Sequence, residues 1–131
     1  PLNDKLFITQ SEIIKNIANQ ESCVIVGRCA DYILKDRSDV INIFIHADKE
    51  TRKERAINEY GIAANKVEGY LHKIDKKRRT YYNYYAGEKW GNSTNYHLCL
   101  NSSVLGIEGA IHIIESFIKE REVALKGKRI D

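Results

Sequence analysis

Three short apolar runs, at residues 23–26, 40–45 and 96–100, each lie between segments of helical period, and this alternation most limits what the chain can fold into. Strands that alternate with helices build βαβ units and a parallel sheet. Cys23-Val-Ile-Val26 is continuously apolar, as in a strand covered on both faces. Val40-Ile-Asn-Ile-Phe-Ile45 is β-branched and reads as a second strand, and residues 96–100 as a third. Cys23 and Cys99 then fall in strands and are expected to be small buried hydrophobes. Three strands are few for such a fold, so at least one central strand is expected outside this sequence.

Helical signals fill the intervals. Thr9-Gln-Ser-Glu12 fits a capping box and opens a helix with Ile13, Ile14 and Ile17 on its apolar face. Residues 30–34 read as a short helix. Asp48 is placed to cap a helix running to about Tyr60, where Gly61 ends it. From about Asn65 to Tyr85 a longer helix puts Val67, Leu71, Ile74, Arg78, Tyr81 and Tyr85 on one face, and Ala86-Gly87 stops it. The last helix carries Ile107, Ala110, Ile111, Ile114, Phe117 and Ile118 at helical spacing, and residues 126–131 read as a frayed tail.

The 131 residues suffice for one domain with its own core, and 43% hydrophobic with 30% charged residues is ordinary for a globular protein. No apolar run reaches membrane-spanning length and no signal peptide is visible, so a cytoplasmic protein with no membrane partner is expected. A net charge of +3 is too mild to argue for nucleic acid. The three cysteines are odd in number and lack ligand spacing, which speaks against a metal site. The sequence has no methionine and starts at Pro1, so it is expected to be part of a longer chain.

Candidate chemistry rests on cations. Gly27-Arg28 follows the first strand, and ligands in open parallel sheets sit at the carboxyl ends of strands. An arginine there can grip an anion with five fixed donors, or simply pair with a neighbouring carboxylate. Arg52 and Arg55, three apart, share a helix face one turn after the second strand. With Arg28 they could surround a polyphosphate, or form a solvated face with Glu50, Glu54 and Glu59 as partners. Residues 66–79 hold six of the 21 Lys and Arg residues, including Lys73, Lys76, Lys77, Arg78 and Arg79. A solvated surface is the plain reading of that run. Arg78, however, falls in register with Leu71, Ile74 and Tyr81, and an arginine on that side needs an anion or a partner such as Asp75. Tyr81, Tyr82, Tyr84, Tyr85 and Trp90 form an aromatic patch that suits helix packing better than base stacking. His46, His72, His97 and His112 are scattered and take no role. Neither G-x-x-x-x-G-K-[ST] nor G-x-G-x-x-G occurs, so no loop of this sequence wraps a triphosphate in backbone N–H groups.

From Asn3 to about Lys119 the chain resembles the cytidylate-kinase-like family of P-loop nucleoside monophosphate kinases. The resemblance is carried by Asn3-Asp-Lys-Leu-Phe7, Val24-Ile-Val-Gly-Arg-Cys-Ala-Asp31, residues 44–55, Asp75-Lys-Lys-Arg78, Lys89-Trp-Gly91 and Leu100-Asn-Ser-Ser103. It implies a three-layer α/β/α fold with a five-stranded parallel sheet, as one domain over residues 1–131, and a mobile helical lid at about residues 62–90. In relatives a first strand and P-loop precede the segment that begins here near Pro1. The implied activity is transfer of the ATP γ-phosphoryl group, with Mg²⁺, to CMP or a related small acceptor.

Carried over residue by residue, the resemblance implies that Arg28 holds the acceptor's phosphate or base, with Asp31 beside it. It implies that Arg52 and Arg55 start the lid and that Asp75 and Arg78, the expected catalytic residues, are the lid's Asp-x-x-Arg; Lys73 and Arg79 of the basic cluster are expected to bind phosphate together with Arg52 and Arg55. In that motif the arginine contacts the transferring phosphates. Two positions depart from the pattern: Cys29 stands where cytidylate kinases have aspartate after Gly-Arg, and Leu71 stands at a second lid arginine. They suit an alternative, a non-catalytic nucleotide-binding or regulatory protein on the same fold. The expected partners are small-molecule nucleotides, with no nucleic acid, and the protein is expected to be a monomer or homodimer.

Overall fold

The structure, a computed structural model, describes residues 2–130, with the side chains of residues 128–130 set aside. It is a mixed helix–strand chain in the order α1 (Leu2–Gln20), α2 (Ala30–Ile33), β1 (Ile43–His46), α3 (Lys49–Asn58), α4 (Val67–Ala86), a short 3₁₀ turn (Ser93–Asn95), β2 (Leu98–Asn101) and α5 (Ser102–Ile130). The chain divides into two compact units. One comprises residues 2–40 with Lys77–Trp90, the other Ile41–Lys76 with residues 91–130, so α4 contributes to both.

In the first unit the core forms around Cys29, Tyr82 and Ala86, with Phe7, Tyr32 and Trp90 packed against them. Phe7 stacks on Tyr85 at 4.1 Å between ring centroids and meets Tyr81 edge-on at 6.4 Å. The aromatic patch therefore joins the end of α4 to α1, as expected for packing rather than base stacking. Arg37 fastens the loop after α2: it pairs with Asp39 at 2.7 Å and donates to the Ala18 carbonyl and the Asn19 side chain at the end of α1.

The capping-box expectation fails, because α1 starts at Leu2, seven residues before Thr9. Inside a helix a threonine hydroxyl turns back to the preceding turn. Thr9 Oγ1 accordingly donates to the Lys5 carbonyl at 3.0 Å, and Ser11 Oγ to that of Phe7 at 2.7 Å.

The predicted strand at 23–26 is not hydrogen-bonded into a sheet in the described residues. Ile25 is half-buried, but Val24 and Val26 are 94% and 87% exposed. The cysteine expectation is also reversed: Cys23 and Cys99 are exposed, whereas Cys29 is the buried one at 4%. Position in an apolar run decides burial only where another element covers the run.

In the second unit β1 and β2 pair in parallel, Ile43 opposite Leu98 and His46 opposite Asn101. Phe44 of β1 packs on Tyr96 at 4.9 Å between ring centroids, and Gly91, at φ +82°, lies against the Phe44 ring. Helix α3 starts after Asp48 as expected, but the Asp48 side chain does not cap it. Gly61 and Gly87, at φ +69° each, follow α3 and α4 where helix-stopping glycines were expected. Helix α5 runs to Ile130 and includes most of the expected frayed tail, with Asp131 outside the described residues. At Gly106 its path is broken, with φ 73° and ψ 175°. No described helix is long and apolar enough to cross a membrane.

Candidate functional site

The apolar run at 23–26 leads into three consecutive left-handed residues, Gly27, Arg28 and Cys29, with φ of 68, 58 and 56°. Glycine adopts this conformation freely; arginine and cysteine do so under strain. The turn is closed by the Ala30 N–H donating to the Gly27 carbonyl at 3.2 Å, and α2 begins immediately. It turns the Cys29 side chain into the core and leaves Arg28 exposed.

The Arg28 guanidinium stands 5.8 Å from the centre of the Tyr81 ring, within cation–π range. No carboxylate among the described residues pairs with it. Asp31 is taken elsewhere: the Tyr82 hydroxyl donates to its Oδ2 at 2.7 Å, and the Tyr32 N–H to its Oδ1 at 2.9 Å. The two other tyrosine hydroxyls of this face do the same, Tyr81 to Gln10 Oε1 at 3.3 Å and Tyr85 to Asp4 Oδ1 at 3.1 Å. Burial pushes the Cys29 thiol up to about 11, with the charge of Asp31 adding to the rise and that of Arg28 opposing it. Cys29 is therefore neutral at physiological pH.

In the second unit the other predicted cations fall on α3 and α4. Arg52 and Asp75 make a two-pronged ion pair, with Arg52 N–H groups donating to both Asp75 oxygens at 2.7 and 2.8 Å. The hydrogen bond to Asp75 holds the Arg52 pKa above its ordinary value. Beside this pair Lys53 Nζ bridges to Glu68 at 2.6 Å, a contact the sequence reading had not singled out. Arg55 pairs with Glu59 one helical turn on, at 3.0 Å. Arg55 thus takes a glutamate of its own helix, one of the partners expected, while Arg52 finds its partner on α4 rather than among the α3 glutamates.

Two expectations about the basic helix are corrected. Asp75 holds Arg52, not Arg78. Arg78 is exposed rather than on a buried face, because residues 76–80 are all exposed and nothing covers the helix there. Lys73 and Arg79 are exposed too. No ion pair among the described residues holds Lys73, Arg78 or Arg79.

At the carboxyl end of the β1–β2 pair a polar cluster forms from the Leu100-Asn-Ser-Ser103 segment. Asn101 Nδ2 donates to Asp48 Oδ1 at 3.0 Å, the Asp48 N–H donates to Ser103 Oγ at 2.7 Å, and Ser102 Oγ donates to the His46 carbonyl at 3.3 Å. These contacts explain why Asp48 does not cap α3. Ligands of parallel sheets bind at this end of the strands. Among the described residues no three His, Cys, Asp or Glu side chains converge as metal ligands.

The described residues form a mixed helix–strand protein with a small parallel sheet of two strands. A sequence profile of the cytidylate kinase-like family matches residues 1–104, and the chain belongs to that family. It is also similar to the crystal structure of an uncharacterized protein from Eubacterium ventriosum ATCC 27560. The two share 34% identity with a TM-score of 0.85 over 89% of this chain and 74% of that one. No curated protein matches the chain.

Proposed function

We propose that this chain supplies the acceptor side and the lid of an ATP-dependent phosphotransferase whose acceptor is a small phosphate-bearing molecule such as a nucleoside monophosphate. The observation that carries the reading is Arg28. It is exposed on a left-handed turn, while the carboxylate three residues away is tied to two other donors. Backbone strain that persists at one charged residue is a mark of a working position. A guanidinium fork matches a phosphate and is held ready by the Tyr81 ring.

Phosphoryl transfer asks little covalent chemistry of the protein. It needs positioning, and cations around the equatorial oxygens. Arg28 fixes the acceptor. Arg78, exposed at the middle of α4 with Lys73 and Arg79 on the same helix, is the cation proposed to meet the transferring group when the lid over residues 62–90 closes. Arg52 and Asp75 tie α3 to α4 and so set where that helix stands; Arg55 is proposed as a peripheral phosphate contact that exchanges Glu59 for the ligand.

Among the described residues no three His, Cys, Asp or Glu side chains converge, and none of these roles passes through the metal. The three-layer P-loop arrangement, with further parallel strands beside residues 23–26, is part of the proposal. The exposure of Val24 and Val26 supports it, since a continuous apolar run is characteristic of a strand covered on both faces.

The test is label transfer from γ-³²P-ATP, with Mg²⁺, to a panel of nucleoside monophosphates and small phosphate esters by the natural protein that carries this sequence. Transfer to at least one acceptor is expected. ATP binding without transfer to any of them would instead favour a non-catalytic nucleotide-binding protein, a reading that Cys29 and Leu71 support.

A further inference from the structure

A strained turn keeps its shape only where its surroundings over-determine it. Two consecutive residues of α4 do this for the turn at 27–29. The Tyr81 ring faces the Arg28 guanidinium at 5.8 Å, and the Tyr82 hydroxyl donates to Asp31 Oδ2 at 2.7 Å. The other oxygen of Asp31 receives the Tyr32 N–H at 2.9 Å, so one carboxylate joins the start of α2 to α4. Between these contacts Cys29 packs with Tyr82 and Ala86. The end of α4 is itself fixed on α1: Tyr85 stacks on Phe7 and donates to Asp4, and the Tyr81 hydroxyl donates to Gln10. The hydrogen bond from Tyr82 is made to a charged acceptor, which makes it stronger than one between neutral groups.

We infer that Tyr82 is a positioning residue for phosphate binding: by holding Asp31, its hydroxyl fixes the turn that aims Arg28. The inference rests on the proposed phosphate-binding role of Arg28 and holds whichever molecule bears the phosphate. Tyr82 is buried and acts through the turn, while Arg28 is exposed and makes the contact. Without the Tyr82 hydroxyl, the packing of Cys29 and the Tyr32 N–H still hold the chain in place, but the link from α2 to α4 is gone. Arg28 then samples more orientations, and a phosphate must order them as it binds.

Titration of the natural protein that carries this sequence with inorganic phosphate, followed by ³¹P NMR, tests this in four forms: unaltered, Tyr82→Phe, Arg28→Ala and the double variant. The Nε–Hε resonance of Arg28, displaced by the ring current of Tyr81, reports the aim of the guanidinium in the forms that retain it. Arg28→Ala is expected to weaken phosphate binding about tenfold or more, the scale of a charged hydrogen bond. Tyr82→Phe keeps the core ring and is expected to weaken it about threefold or more and to move the Arg28 resonance toward its position in an unfolded chain. The double variant is expected to bind within about 1.5-fold of Arg28→Ala, because residues that act through one contact are not additive. Tyr82→Phe with a lowered unfolding midpoint but unchanged phosphate affinity and an unmoved Arg28 resonance would show a structural role alone and overturn the inference, leaving the phosphotransferase reading standing. A further threefold loss in the double variant would overturn it as well, since Tyr82 would then act apart from Arg28. Unchanged phosphate affinity in Arg28→Ala would remove both the inference and the role proposed for Arg28.

Discussion

Arg28 and Cys29 hold φ angles of 58 and 56°, a conformation that disfavours L-residues by roughly 1–2 kcal/mol each. That strain makes a stability–function conflict measurable. Arg28→Gly removes a Cβ from the strained position, at some cost in unfolded-chain entropy. It is expected to raise unfolding free energy by about 0.5–1 kcal/mol in urea titration while abolishing phosphate binding. A loss of stability would show that Arg28 is held there by packing.

The neighbouring cysteine gives a second residue-scale prediction. Cys23 and Cys99 are exposed and Cys29 is buried with its thiol pushed up to about 11. A thiol reagent at pH 8 should therefore label two cysteines quickly and the third only on unfolding. The sign of the linkage follows: the unfolded thiol ionises near 9.0 and the folded one near 11. The stabilising contribution is therefore complete below pH 9 and is lost as pH rises toward 11. Cys29→Ala should flatten that part of a stability–pH curve; an unchanged slope would show that other groups cause it.

Among the elements, α3 and α4 are joined by Arg52–Asp75 and Lys53–Glu68. The Arg52–Asp75 pair is two-pronged but only partly shielded, so a double-mutant cycle with Arg52→Ala and Asp75→Ala should return a coupling of about 1 kcal/mol. A coupling near zero would mean that solvent screens the pair and that it does not position α4.

This pairing also shows where the sequence was readable. Helical period placed α3 and α4 to within a few residues, and Gly61 and Gly87 marked their ends, because these signals are local. The partner of Arg52 lies 23 residues away, and that of Tyr82 at Asp31 lies 51 residues away. No spacing rule connects such positions, so Arg52 was matched with glutamates on its own helix and Asp75 with Arg78. Thr9 misled for a related reason: Ser/Thr-x-x-Glu fits a helix start and a helix interior equally well, and the choice depends on what the preceding residues do. The left-handed turn was half-legible, since Gly27 announces freedom of φ but nothing in Arg28-Cys29 announces that the turn continues through them.

For the molecule as a whole, the family is established over residues 1–104, and the resemblance that named it rested on short pieces distributed along the chain. The apolar run at 23–26 shows the limit of such reading. Its composition asks for neighbours on both faces, yet the described residues leave Val24 and Val26 exposed. Composition records the environment a strand was selected for, and only the assembled sheet supplies it. The central claim is that the exposed, unpaired cation of α4 serves transfer and not folding. Arg78→Ala in the natural protein, followed by thermal unfolding and by single-turnover transfer from labelled ATP to the best acceptor, tests it most directly. The account predicts an unfolding midpoint within about 1 °C of the unaltered protein, as for a surface substitution, and a rate lowered about 10³-fold. An unchanged rate constant would contradict it.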